Sequence, residues 1–303
     1  MIFRNIILNA LFAGLLAGLL LSVLQLVGVS PIIIAAETFE QVDATPLTEV
    51  TAVAELPSVV IAEAVVDDHS AHDHDHGVKA LVSDVAVSTE QPPVLKQPAE
   101  AAANDDGHTG HSHNAEAWTP ADGAERTFYT FTSNILAAIG FAAVLLALMV
   151  QTHTQGLTRI TPLKGVAWGV AGFLALFVVP ALGLPPEIPG MEAAAIENRQ
   201  GWWMLAVSTA IAGLACLAFA PIKLKALGLL MMAVPYLVGA PHPLGPAISH
   251  PDAQAVTALT QLHADFVMAS AMANLVFWLV LGLLSAYLLS RKLLAEDASE
   301  VGV

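Results

Sequence analysis

The chain opens with a run of about 24 residues, from Ile6 to about Val29, that carries no charged side chain. As a helix rising 1.5 Å per residue, such a run crosses the roughly 30 Å hydrocarbon core of a bilayer. Hydrophobic character resumes at Phe128, with further candidate spans at about 131–150, 165–183, 202–220, 226–240 and 266–289. A soluble domain is about a quarter charged, whereas this chain is 12% charged and 56% hydrophobic. The expected fold is an all-α polytopic membrane helix bundle of about six transmembrane helices, with five as the alternative. The weakest candidate is 226–240, which holds Pro235 and stops before Pro241. A short tilted helix or a re-entrant piece would also fit it.

The first run resembles a signal peptide in position, with Ile34-Ala35-Ala36 as a cleavage site. It is too long for one, because a signal core is about 7–15 residues. An uncleaved first span over 1–36 is therefore expected, with Gly14 and Gly18 four apart as a helix-packing face. Residues 37–127 form a different kind of chain. They are acidic, poor in aromatics and broken by prolines at 46, 57, 92, 93, 98 and 120. This composition predicts a long disordered loop with no core of its own. The remaining segments are a five-helix membrane bundle over 128–292 and a short tail over 293–303.

That loop concentrates the chain's chemistry. It holds seven of the eleven histidines, as His69, His72, His74 and His76 and then His108, His111 and His113. Asp67, Asp68, Asp73 and Asp75 interleave the first group. Imidazole is the commonest side chain for borderline divalent metals, and carboxylates add ligands and negative field. Spacings of two or three let neighbouring imidazoles in a flexible chain chelate one ion. Ordering such a chain costs about 1–2 kcal/mol per residue fixed, so the expected behaviour is capture and hand-off. Solvated polar tract and metal-free pH sensor are the competing readings. The net charge of -15 repels nucleic acid and gathers cations, so no nucleic-acid partner is expected.

Basic residues set the topology. With the N-terminus inside, Arg4, Arg159, Lys164, Lys223, Lys225, Arg291 and Lys292 fall on the inner side of six spans. Only Lys79, Lys96, Arg126 and Arg199 fall outside, in much longer segments, which is the positive-inside pattern of a bacterial inner membrane. The histidine-rich loop then faces outward, together with His242, His250 and His263, and only His153 faces in. On a helix His263, Ser270 and Asn274 share one direction within about 20°, giving a polar stripe that descends from the outer surface. Ser and Asn bonding neighbouring helices is the plainer reading of that stripe. His242, His250, His263 and Glu187 are the candidate metal ligands beyond the loop.

Trp202 and Trp203 read as interfacial anchors. The lone Cys216 reads as a packing residue, since one thiol supports neither a disulfide nor a multi-cysteine metal site. No phosphate-binding loop, H-E-x-x-H or G-x-S-x-G occurs. No Asp or Glu lies deep within a span, which argues against a carboxylate proton relay. No enzymatic activity and no prosthetic group are expected.

Several motifs together resemble the CbtA family of bacterial cobalt transporter subunits. They are Pro185-Pro186-Glu187-Ile188-Pro189-Gly190 after a helix, Arg199-Gln200-Gly201-Trp202-Trp203 opening the next, and the Asn274–Gly282 stretch of the last span. The N-terminal span and the histidine-rich loop fit the same pattern. The resemblance implies cobalt as the transported ion, uptake for cobalamin synthesis, and a small single-span partner of CbtB type. Family members are described with five spans. The expected function is inner-membrane uptake of a divalent transition metal, cobalt first. The alternatives are a non-conducting metal-binding accessory subunit, or a nickel or zinc transporter. Six spans put both termini in the cytoplasm, so reporters fused to either end should be active only there. A periplasmic C-terminal reporter would overturn the six-span topology.

Overall fold

The computed structural model describes residues 2–43 and 120–301; both histidine clusters of the acidic segment lie outside the described residues. The helices are α1 (Ile2–Gly28), α2 (Ser30–Asp43), α3 (Ala124–Thr154), α4 (Pro162–Phe173), α5 (Val179–Ala181), α6 (Ile196–Phe219), α7 (Ile222–Val238) and α8 (Ala253–Val301). A π-helical turn, Leu174–Val178, joins α4 to α5. Five helical stretches are long and apolar enough to cross a membrane: Ile6–Gly28, Ala124–Thr154, Pro162–Ala181, Ile196–Phe219 and Ala253–Arg291. The sixth candidate is α7, at 17 residues about 25 Å long, a little short of the hydrocarbon thickness.

The helix ends follow from local chemistry. Thr161 caps α4 by accepting from the Lys164 N–H at 3.3 Å, and Pro162 occupies the first turn, where a missing N–H costs nothing. Asp252 accepts from the Gln254 N–H at 2.9 Å and starts α8 well before the expected residue 266. Hydropathy misses this stretch because Gln254, Thr257, Thr260, Gln261, His263 and Asp265 make its first turns polar. The π turn has its cause in Pro180. Proline has no N–H to give the carbonyl four residues back, and its ring crowds that turn. The wider turn relieves this, and the Val179 N–H reaches the Leu174 carbonyl instead.

Lipid is as apolar as leucine, so helices in a membrane are held by close packing and hydrogen bonds. Glycine supplies the close approach. A Cβ on Gly18 would lie 2.7 Å from the Ile135 Cα of α3, and one on Gly14 would meet Ile139, so both expected glycines do face a helix. Gly165 and Gly169 of α4 pack against Gly282 and Trp278 of α8, and Gly213 of α6 packs against Gly228 of α7. Between α1 and α3, the Asn134 amide donates to Gln25 at 2.7 Å and to the Ser22 hydroxyl at 3.2 Å. The main core lies between α1, α3 and α8, around Ala13, Ala17, Ala142, Leu146, Met149, Phe277 and Leu281.

The α6–α7 hairpin meets the other helices chiefly through the π turn and α5. One hydrogen bond closes the hairpin and one fastens it to α5. The Trp202 indole donates to the Pro235 carbonyl at 3.0 Å, and the Tyr236 hydroxyl donates to the Val179 carbonyl at 2.5 Å. That carbonyl is open because the Gly183 N–H turns to Pro180 at 3.1 Å.

These contacts sort the chain into two ends. Antiparallel α1 and α3 put Arg4 beside the close of α3, and the Gly165–Gly282 contact puts Lys164 near Arg291. Lys223 and Lys225 open α7 at that same basic end. The opposite end collects α2, the 185–192 segment, the 241–252 loop and the start of α8. Ala36, Ile188 and Leu259 are buried together there. Gly169→Leu should therefore lower the apparent Tm of the detergent-solubilised protein, with a cost of about 1–3 kcal/mol from overpacking. Gly140 has nothing within 4 Å of an added Cβ, so Gly140→Ala should hold or raise it by comparison.

Candidate functional site

The end opposite the basic residues carries a compact cap built on Pro185–Gly190. Its three prolines prevent the α5 helix from continuing, and Gly190 takes a φ of 81°, which side chains avoid. The Gly190 N–H donates to Glu40 of α2 at 2.5 Å. Ile188 is 3% exposed and plugs into Ala36 of α2 and Leu259 of α8. A second strut pairs Met191 with Ile248 as an isolated antiparallel bridge. The turn is thus pinned on one side.

Glu187 accepts a hydrogen bond from the Arg199 guanidinium of α6 at 2.6 Å. His263 of α8 lies within 3.1 Å of the Pro186 carbonyl through Nε2. A carbonyl only accepts, so Nε2 is the donor here, and in the tautomer protonated there Nδ1 has its lone pair for another partner. His263 and Glu187 therefore flank one peptide of the cap. His250 stands differently. Its Nδ1 accepts from the Asp252 N–H at 2.9 Å, and its ring meets Phe39 edge-on at 6.4 Å. Ligation through Nδ1 would break the turn that starts α8. His242 is exposed on the 241–252 loop.

The four candidate ligands thus reach the same end without forming one coordination sphere. Among the described residues no three His, Cys, Asp or Glu side chains are grouped to hold a metal. The seven histidines from His69 to His113 lie outside the described residues. The two ends of the segment that carries them are tied together: Arg126 of α3 donates to both carboxylate oxygens of Glu37 in α2, at 2.6 and 3.1 Å, and to Asp122 at 3.3 Å.

Below the cap the α8 stripe proves mixed. Ser270 is buried, and the Asn274 amide donates to the Ser270 carbonyl of its own helix at 2.9 Å. Deeper still, Phe141, Phe277 and Trp278 close the level with ring centroids 5.2 to 6.4 Å apart. Past them Asn9 and Ser285, 6% and 0% exposed, hold a buried amide nitrogen and hydroxyl without a hydrogen-bond partner. Sequence reading missed both. Ser285 had a signal, since 22 residues beyond His263 turn a helix to within about 40° of the same face. The Arg199–Glu187 pair had none, because twelve residues and a turn separate them.

The family model for CbtA, described as a probable cobalt transporter subunit, matches residues 3–91 and 86–290. Searches of curated proteins and of solved structures give no match. The family match runs through α1 and from α3 into the last turns of α8, around the proline-rich cap and the glycine-packed helices, and the chain belongs to the CbtA family.

Proposed function

We propose that this protein takes up cobalt across the bacterial inner membrane, with both termini in the cytoplasm and the cap facing the periplasm. The family's description as a probable cobalt transporter subunit supports cobalt as the metal. The observation that carries the direction is the polarity of the bundle. Three of the four described histidines sit at the cap end, whereas Arg4, Arg159, Lys164, Lys223, Lys225 and Arg291 gather at the other. Basic ends stay in the cytoplasm, so the cap faces outward.

In this reading the histidines from His69 to His113 collect the ion, and the Glu37–Arg126 pair holds the described ends of their segment together. His263 and Glu187 receive the ion next, with His242 and His250 alongside. Cobalt is the substrate here, and no resident group is needed. A small single-span subunit associates with this bundle, which itself carries the conducting path, in keeping with the family's description as a subunit. Supply of cobalt for cobalamin synthesis is the physiological role.

A second reading, a metal-binding subunit that feeds another permease, draws on the aromatic level at Phe141, Phe277 and Trp278 and on the lack, among the described residues, of any three His, Cys, Asp or Glu side chains grouped to hold a metal. Cellular metal content tests the choice. Expression of the full chain should raise cobalt, deletion of residues 60–115 should lower the gain partly, and His263→Ala should abolish most of it. An unchanged gain in His263→Ala would remove the cap from the route, and no gain until a partner is supplied would favour the second reading.

A further inference from the structure

Two carboxylate–guanidinium pairs stand at the cap end, and they are built differently. Arg126 spends two nitrogens on Glu37 and a further bond on Asp122. Such a bidentate, additionally bonded pair is a saturated strut. Arg199 makes a single contact, from Nη2 to one oxygen of Glu187, and its Nε is buried with no hydrogen-bond partner. A buried donor left unmade is a standing cost that a fixed structural pair has no reason to carry. The pair is also reachable from water, with Glu187 25% and Arg199 34% exposed.

What adjoins this pair is equally specific. The residue before Glu187 is Pro186, whose carbonyl holds His263 with Nδ1 as the ring atom left to ligate. On the other side Arg199 borders a groove of about 580 Å³ lined by Leu176, Phe177, Pro186, Gln200, Trp203 and Met204. The groove offers a freed guanidinium an amide oxygen at Gln200 and an aromatic face at Trp203, both suitable partners for it.

We propose that Arg199 is a built-in competitor for the cation: its guanidinium occupies the Glu187 carboxylate until a divalent metal, shared with His263, displaces it into the groove beside α6. This rests on the uptake reading and names the device at its first ligand. The exchange leaves the Glu187 carboxylate neutralised in both states. With one carboxylate, one imidazole and retained water as ligands, the metal is held weakly, and the returning guanidinium promotes its release. Arg199 is thus a positioning residue that sets affinity, and the metal never touches it.

The test is equilibrium binding of radioactive cobalt to the full-length chain in lipid nanodiscs, with the seven histidines from His69 to His113 replaced by alanine. Arg199→Gln should lower Kd about threefold to tenfold, the range that a partly buried ion pair's strength allows. Arg199→Lys keeps the competing charge and should stay within about twofold of the parent. Glu187→Gln should weaken binding at least about tenfold, and adding Arg199→Gln to it should change nothing more. Binding that weakens or stays level in Arg199→Gln overturns the proposal, as does binding indifferent to Glu187 or absent altogether. Cellular uptake is read separately. If cells gain no cobalt while the binding order holds, the transport reading falls and the competitor stands.

Discussion

Everything in this bundle depends on how closely its helices can approach one another. In water an apolar stripe would bring helices together, but in lipid the stripe is as well solvated apart as together. Backbone contact through glycine replaces that force, and it recurs at three interfaces: Gly14 and Gly18 on α3, Gly165 and Gly169 on α8, and Gly213 on Gly228. The first two interfaces fasten α1, α3, α4 and α8 into one core. The third makes α6 and α7 a hairpin whose attachment to that core passes mainly through the π turn and α5. Beside Pro180 the Val179 carbonyl accepts from Tyr236 at that attachment, whereas the Trp202 bond to the Pro235 carbonyl closes the hairpin itself.

Much of this was legible beforehand. The apolar runs gave the helices, because a length near 20 residues has few other uses, and Gly14 and Gly18 gave a packing face that the structure uses. Charge sorting placed Arg4, Lys164, Lys223 and Arg291 together, and the helix packing does the same. The limits are just as specific. Hydropathy ended α8 at its polar beginning, since a helix that leaves the bilayer stops looking like a span. No local pattern reveals the π turn, because a proline near a helix end more often just stops it. His250 looked like the other histidines until its Nδ1 was found capping a turn with Asp252. Glu187 stands out in the sequence as a candidate ligand, but its guanidinium partner is a product of tertiary folding. The histidine clusters, the plainest chemical signal in the sequence, lie beyond the described residues.

The cap is where fold and chemistry meet. Ile188 and Gly190 fix the turn from below, and so Glu187 and the Pro186 carbonyl are held outward beside Arg199 and His263. Both ends of the acidic segment rise from the same surface, tied by Arg126 and Glu37. In the proposed reading both the histidine segment and the cap bind the ion loosely, which suits transport, since tight binding would trap the ion. A potential of about 100 mV offers roughly 4.6 kcal/mol for two charges, enough for modest accumulation without nucleotide hydrolysis. In the proposed reading the aromatic level of Phe141, Phe277 and Trp278 is the barrier to be opened, with the buried polar atoms of Asn9 and Ser285 beyond it.

The account's central claim is that a divalent cation passes through this bundle. Its most direct test is cobalt accumulation in proteoliposomes that contain the purified chain alone, under an interior-negative potential of about 100 mV. The account predicts time-dependent accumulation above protein-free vesicles that collapses when the potential is discharged. Cobalt that binds the vesicles but never enters the lumen would contradict it and leave the chain as a metal-binding subunit serving another permease.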